Sequence, residues 1–339
     1  MAKDVGEALL ELLRRHRGQW LGMEALRRVL DLPPRQIHEQ MDRLRAMGHE
    51  VEMQPAQGFR LVGLAAGLSS ELIEYGLGTR RVGRKVLVYE ETDSTNDVAW
   101  QYAAESGYDG LAVFAERQRA GRGRLGRTWQ SPAGSSILSS VLLQGENRIY
   151  GQVLTLLVGL ATAAAIEKSC QVKVRIKWPN DVTIEARKVA GTMVESRQRG
   201  GACQYVLGMG VNCQQGAEDF APELRAGAVS LRQITGRLVD RLHLAQEMLR
   251  QIDEWLVEVA DKGPKKLHEQ WLGRYDDIGR RITLVRNNQY FEGRVIEICP
   301  EKGLLLQLDS GPVMVFNAAT TSVAQGRIVT TEGTAEIFS

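Results

Sequence analysis

The chain has 339 residues, 43 Lys/Arg against 41 Asp/Glu, and a quarter of its residues charged. That length allows two or three domains and a sizeable core. A net charge of +2 points, in bulk, to neither a nucleic-acid coat nor a membrane surface.

Residues 1–62 read as three helices and a hairpin. EALLELLRRH spaces its leucines helically and MEALRRVL is a second short amphipathic helix. DLPP ends it, and Pro34 suits the first turn of a third helix, RQIHEQMDRLRAMG, which stops at Gly48. HEVEMQPAQGFRLVG then alternates apolar and polar residues around a Pro-Ala-Gln-Gly turn. This is the pattern of a winged helix-turn-helix. Its third helix would enter the DNA major groove with Arg35, Gln36, His38 and Glu39 nearest the N-terminal end. The ten basic and nine acidic residues in this segment temper that reading, because a dedicated DNA binder usually carries a more basic footprint. A domain that only contacts protein is the alternative.

GLAAGLSS (63–70) reads as a flexible linker, with a short helix over 71–80. From there to about residue 262 the pattern is mixed. Strand candidates are KVLVYE, LAVFAE, SILSSVLL, VRIKWPNDVTI, KVAGTMVES and QYVLGMGVN. Helix candidates are TNDVAWQYAAES, VLTLLVGLATAAAIEKS and VDRLHLAQEMLRQIDEWLVEV. Strands that follow one another without a helix between them favour an antiparallel or mixed sheet with helices packed on it. LTLLVGLATAAAI (154–166) falls short of the roughly 20 residues of a membrane helix and reads as a buried one. After WLGRYDDIG come RITLV, an Asn287-Asn288 turn, FEGRVIEI, GLLLQLD and GPVMVFN, the spacing of a small β-barrel. The expected class is therefore α+β, with a central mixed sheet between two smaller units.

Cys170, Cys203, Cys213 and Cys299 show no C-x-x-C spacing and no pattern with histidine. Reduced thiols in a cytoplasmic protein are expected, with no signal peptide, no membrane partner and no metal-ligand set.

The chemistry concentrates in short segments. GRGRLGRTW (121–129) places Arg122, Arg124 and Arg127 among Gly121, Gly123 and Gly126, a loop suited to a polyanion. It lacks the GxxxxGK[ST] of a P-loop. In ETDSTND, Ser94, Thr95 and Asn96 either cap a helix or bond a polar ligand head, and Gln118 adds an amide nearby. KWPND sets Lys177, Asn180 and Asp181 around a proline turn. KVAGTMVES starts an apolar strand with Lys188, which needs an anion beside it, and Gly191 admits a ligand close to the backbone. GMGVN, ending at Asn212, repeats the device, or packs tightly for its own sake.

In this order and spacing, DSTN, QxxGRGRxGRxW, KWPND, K-x-AG-x-x-x-E and GxGxN resemble the biotin protein ligases, and the N-terminal segment makes the chain similar to their bifunctional, repressor-bearing bacterial form. The resemblance implies a class II synthetase-like central fold and an SH3-like C-terminal barrel. It implies domains over 1–62, 81–272 and 273–339, with a linker over 63–80. It also implies an activity: biotin and MgATP give biotinyl-5′-AMP, and biotin passes to a lysine of the biotin carboxyl carrier protein of acetyl-CoA carboxylase. Lys188 and Arg124 would be catalytic. Ser94, Thr95, Asn96, Gln118, Gly121, Arg122, Gly123 and Gly191 would join them around biotin. Arg127, Trp129, Lys177, Asn180 and Asn212 would hold ATP together with Arg124. Mg²⁺ would accompany the nucleotide, and an adenylate-bound homodimer would bind operator DNA.

Three departures stand out. Leu125 occupies the place of a fourth loop arginine, NAATTSVAQG (317–326) replaces a G-E-V/I-S-L-R-like strand, and Pro33-Pro34 opens the recognition helix. Two alternatives stay open: a ligase whose first domain no longer binds DNA, and a biotin-responsive DNA-binding regulator without catalysis. A lipoate ligase shares the fold, but the arginine-glycine loop favours biotin.

Overall fold

The structure, a computed structural model, describes residues 5–65, 67–144, 151–199 and 201–324. The end of the expected C-terminal domain, the last two residues of NAATTSVAQG and Ala66 of the linker lie outside them.

The N-terminal unit consists of α1 (Val5–Arg15), α2 (Met23–Leu30), α3 (Pro34–Ala46) and a hairpin of β1 (Glu50–Gln54) and β2 (Gly58–Gly63). Its helices form because leucines recur at turn spacing. Leu9, Leu13, Leu26, Ile37, Met41 and Leu44 meet Phe59 and Leu61 in one core, each worth about 1.5–3 kcal/mol of burial. Pro33 precedes α3 without a side-chain cap, and Pro34 supplies the preset φ of the first turn instead. Gly58 closes the hairpin at φ +92°, where a Cβ would lie 2.0 Å from Leu21 O.

The expected linker is packed rather than free. Ser69 caps α4 (Ser70–Glu74), whose Leu72 and Ile73 are buried in the main core. The next turn is gathered by the buried Asp253 carboxylate, which accepts from the amides of Arg80, Arg81 and Val82 at 2.8, 2.9 and 2.8 Å.

The central unit runs β3 (Val86–Thr92), α5 (Thr95–Tyr102), β4 (Ala112–Gln118), β5 (Ser136–Leu143), α6 (Gly151–Cys170), β6 (Arg175–Lys177), β7 (Asp181–Ile184), β8 (Arg187–Arg199) and β9 (Ala202–Asn212). There follow α7 (Leu231–Thr235), α8 (Arg241–Lys262) and α9 (Lys265–Leu272). The seven strands form one sheet in the order β3-β4-β5-β9-β8-β7-β6. Among the described residues only β3 and β4 pair in parallel, so the sheet is mixed, as the strand-after-strand pattern predicts. Side chains alternate across it. Val113, Leu142 and Val206 meet α5 on one face. Ala112, Phe114 and Val141 join the main core with α6 and α8 on the other.

The helix read over 154–166 is the centre of the 20-residue α6, long and apolar enough to cross a membrane. However, 72% of its most apolar window is buried inside the protein, the mark of a core helix. VRIKWPNDVTI, read as a strand candidate, is the hairpin β6–β7, because Pro179 ends the ladder. The helix read over 95–106 stops at Tyr102, and α7 and α9 were not anticipated; both are short helices lying outside the long periodic stretches.

The last unit is an all-antiparallel sheet ordered β13-β12-β11-β10-β14, from β10 (Arg281–Arg286), β11 (Gln289–Cys299), β12 (Gly303–Leu308), β13 (Val313–Phe316) and β14 (Thr321–Val323). Asn287 and Asn288 both take positive φ, 51° and 59°, in the two-residue turn joining β10 to β11. Leu284, Val295, Leu304 and Phe316 run into the same core as the central unit.

Candidate active site

A cavity of about 380 Å³ lies on the sheet, under the Gly121–Trp129 loop and against β14. Its floor is built by register. Gly191 pairs with Gly210, and Met193 with Gly208, so that three of these four positions on one face carry no side chain. A Cβ at Gly210 would lie 2.6 Å from Trp129 Cε2, and one at Gly208 2.6 Å from Asn96 Oδ1. A Cβ at Gly191 would lie 2.9 Å from Lys188 Nζ and 3.1 Å from Trp129 Cζ3. Glycine thus makes a trough deep enough for a flat group to touch the strand backbone.

One end of the trough is polar. Ser94 stands at the N-cap of α5, but its hydroxyl makes no capping bond and has no partner among the described residues. The orphan amide of Thr95 turns instead to Gln118 Oε1 at 2.7 Å, and Thr95 Oγ1 donates to the same oxygen at 3.0 Å. With Oε1 occupied twice, the Gln118 amide nitrogen remains a donor toward the cavity. Ser140 Oγ lies 2.7 Å from Thr95 Oγ1 and 2.6 Å from Asn96 Oδ1. Asn96 Nδ2 donates to Glu195 Oε1 at 2.9 Å, and Trp100 Nε1 to Glu195 Oε2 at 2.7 Å. Glu195 therefore fixes which way the Asn96 amide points. Ser139 and Trp129 line the cavity, and behind its surface the Ser139 hydroxyl and Trp129 Nε1 are buried without a partner among the described residues. Such unpaired buried donors cost stability.

The three loop arginines, whose charges would repel one another, diverge. Arg122 grips Asp97 with two bonds of 2.6 and 2.7 Å and lies 3.4 Å from Glu195. Those bonds hold the Asp97 carboxyl below its ordinary range and raise Arg122 further. Arg124 donates to Asn180 Oδ1 at 2.9 Å and to the carbonyls of Ala318 and Thr321, tying the loop to the C-terminal sheet. Burial without a carboxylate partner pushes Arg124 down to about 10. Arg127 lines the cavity, and its guanidinium has no hydrogen-bond or ion-pair partner among the described residues. Leu125 takes a left-handed φ of 55° and is 53% exposed, so the position of the missing arginine points mostly to solvent.

Lys188 finds the anion its strand position requires. Its Nζ is 2.7 Å from Asp181 Oδ1, across the β7–β8 pair, and 5.4 Å from the Trp129 ring. Asn180 and Asn212 are buried in the wall. Asn180 is held by Arg124 and the Thr192 carbonyl, and Asn212 donates to Val229 O at 3.2 Å.

Of the residues singled out from the sequence, Ser94, Thr95, Asn96, Gln118, Arg122, Gly123, Arg124, Arg127, Trp129, Asn180, Lys188, Gly191 and Asn212 line this one cavity. Gly121 and Lys177 do not. Gly121 packs behind the loop, where a Cβ would lie 2.4 Å from Trp129 O, and Lys177, at the end of β6, is not among the lining residues. Missed were Asp97, the role of Glu195, the serines of SILSSVLL, and the C-terminal carbonyls. Three serines in an otherwise apolar strand were a legible signal; the carbonyls had none. Arg35, Gln36, His38 and Glu39 are exposed on α3, far along the chain from this site. Arg35 pairs with Glu39 at 3.1 Å, and His38 stacks edgewise on Phe59.

A mixed sheet whose glycine trough is roofed by an arginine loop and flanked by a paired lysine is a site for a flat molecule bearing anionic groups. Known proteins narrow the class. A family model described as the biotin/lipoate A/B protein ligase family matches residues 88–212. The chain is 30% identical over 296 residues to the bifunctional ligase/repressor BirA of Escherichia coli (strain K12), covering 86% of this chain and 89% of that one. It is 28% identical over 320 residues to the protein of the same name from Bacillus subtilis (strain 168), covering 94% and 98%. The solved biotin protein ligase from Aquifex aeolicus in complex with biotin and ATP superposes with a TM-score of 0.61 at 26% identity, over 72% of this chain and 100% of that one. The chain belongs to the biotin/lipoate A/B protein ligase family.

Proposed function

We propose that the protein activates biotin with MgATP to biotinyl-5′-AMP and transfers biotin to a lysine of the biotin carboxyl carrier protein of acetyl-CoA carboxylase. The observation that carries this reading is the convergence of Lys188, Arg127 and the free donors of Ser94 and Gln118 on one glycine-floored cavity. In the first step a biotin carboxylate oxygen attacks the α-phosphorus and pyrophosphate leaves. In the second, a lysine amine of the carrier attacks the acyl carbon and AMP leaves.

An anion attacking an anion needs fixed positive charge where charge develops. Lys188 supplies it between carboxylate and α-phosphate, and Asp181 holds the ammonium at the trough until the substrates compete for it. Ser94 and Gln118 bond the polar head of biotin, with Thr95 and Asn96 held in place behind them, and Gly191 admits its rings. Arg127 and Arg124 meet the phosphates and Trp129 flanks the adenine. The loop keeps water from the acyl phosphate. Mg²⁺ fits as part of the nucleotide. It keeps several waters and leans on substrate phosphates, and Asp181 and Glu223 are the carboxylates on the cavity wall among the described residues.

The first test mixes protein, ATP, Mg²⁺, biotin and a carrier domain and follows mass. The expected result is one added biotinyl group, with the Lys188→Ala rate down by about 10²-fold or more. Biotin binding without any mass shift would sink the reading and favour a non-catalytic biotin-responsive regulator.

We further propose that residues 1–62 form a winged helix-turn-helix that represses biotin-synthesis genes, presenting Arg35, Gln36, His38 and Glu39 to an operator. Residues 63–80 connect it to a catalytic domain over 81–272, and an SH3-like barrel occupies 273–339. An adenylate-bound homodimer would read two half-sites. The exposure of all four α3 residues supports DNA binding; the balanced charge of residues 1–62 favours a ligase whose first domain no longer represses.

A further inference from the structure

A second cavity, of about 520 Å³, lies at the junction of the N-terminal and central units, away from the active site. Its walls come from α1, the end of α6 and the turn into α8. Arg14, Arg15, Arg17, Lys168, Arg237 and Arg250 line it, against only Glu11, Asp240 and Glu247. His243 also lines it, but burial and the neighbouring Arg14 push its pKa down to about 4, so it adds no positive charge near neutrality. Six cations against three carboxylates leave a positive excess in a concave site of ligand size.

The pairing within the wall shows where that excess sits. Asp240 is taken by Arg14 at 3.0 Å. Glu247 is shared by Lys168 and Arg250, each at 2.7 Å. Glu11 pairs with Arg15. All three carboxylates are thus engaged. Arg237 is exposed with no side-chain partner among the described residues, and Arg17 is exposed with a single long bond to the Val62 carbonyl at 3.3 Å. Arg14 is nearly buried and one of its terminal nitrogens, Nη2, has no acceptor. Two exposed guanidinium arms without a carboxylate partner, over a wall of saturated carboxylates, suit a compact, multiply charged oxyanion, which guanidinium binds bidentately.

We propose that this junction is a binding site for a phosphate-bearing small anion of the oligophosphate class. Because α1 belongs to the N-terminal unit and Lys168 and Arg237 to the central one, the bound anion bridges the two.

The experiment titrates full-length protein with inorganic tripolyphosphate by calorimetry, beside the Arg17→Ala/Arg237→Ala double variant and an Arg127→Ala variant altered only in the active site. Wild type should bind tripolyphosphate at the junction, and Arg127→Ala should keep that site. The double variant should lose it, or weaken it by about tenfold or more, since each arm would give the anion a charge-assisted bond. Both altered arms are exposed, so the double variant should fold and attach biotin at the wild-type rate. Binding abolished by Arg127→Ala, or unchanged in the double variant, would overturn the proposal. So would a double variant that loses only duplex DNA binding, because the arms would then serve a nucleic-acid backbone.

Discussion

A single methyl group measures how closely the trough is fitted. A Cβ at position 210 would press on the Trp129 indole at 2.6 Å, and the same atom would stand where a flat ligand meets the strand. Gly210→Ala should therefore keep the fold, because the indole can shift, yet weaken biotin binding at least tenfold in a direct binding titration. A wild-type affinity in that variant would mean that the ligand does not use the trough. At this scale much of the site was legible. Lys188 was marked by its cost at the start of an apolar strand, and the structure answers with Asp181. The three loop arginines were visible as charges, but their partners were not. Asp97, Asn180 and the Ala318 and Thr321 carbonyls are 25, 56, 194 and 197 residues from the arginines they hold. No local spacing rule reaches that far.

Helices and strands carry the next level. Around α8 a buried polar group joins the two units: Asp240 caps the helix and binds Arg14, and His243 and Gln246 follow it along the same face. His49, on the N-terminal side, bonds the Ala65 amide. Burial, aided by Arg14, pushes both His49 and His243 down to about 4. The unfolded chain takes up these protons near pH 6.5 and the folded chain only near pH 4, so the unfolded state binds more protons between. Stability should be flat above about pH 6.5 and fall as pH drops toward 4. Denaturant midpoints across that range should show the fall, and His49→Gln with His243→Gln should flatten it. A stability profile that the double variant leaves unaltered would remove the two histidines as its cause. The long periodic elements followed their pattern, and among the departures one is instructive. VRIKWPNDVTI has the composition of a strand, but Pro179 cannot donate to a ladder, so it folds back as a hairpin and delivers Asn180 and Asp181 to the cavity.

For the whole molecule the question is whether catalysis and DNA binding share one body. Deleting residues 1–62 removes Arg14 from Asp240 and Gln246 but takes nothing from the cavity lining. The truncated chain should still form biotinyl-5′-AMP, with a lower melting temperature, and should not shift operator DNA. The full chain should shift it more strongly with biotin and ATP present. Operator binding indifferent to both ligands would leave the protein a ligase without a biotin-sensing switch.

Taken alone, the sequence determined the order of the elements, the mixed sheet and the identity of the motif-bearing segments. Each of these depends on neighbours a few residues apart, through side-chain period, turn chemistry and proline or glycine punctuation. Tertiary structure decided the rest. It packed the expected linker against the core, left Lys177 off the cavity wall, gave Arg122 and Arg124 different partners while Arg127 faces the cavity, and set a cationic cavity between α1 and α8. Those outcomes depend on which distant surfaces meet, and burial energy over the whole chain settles that.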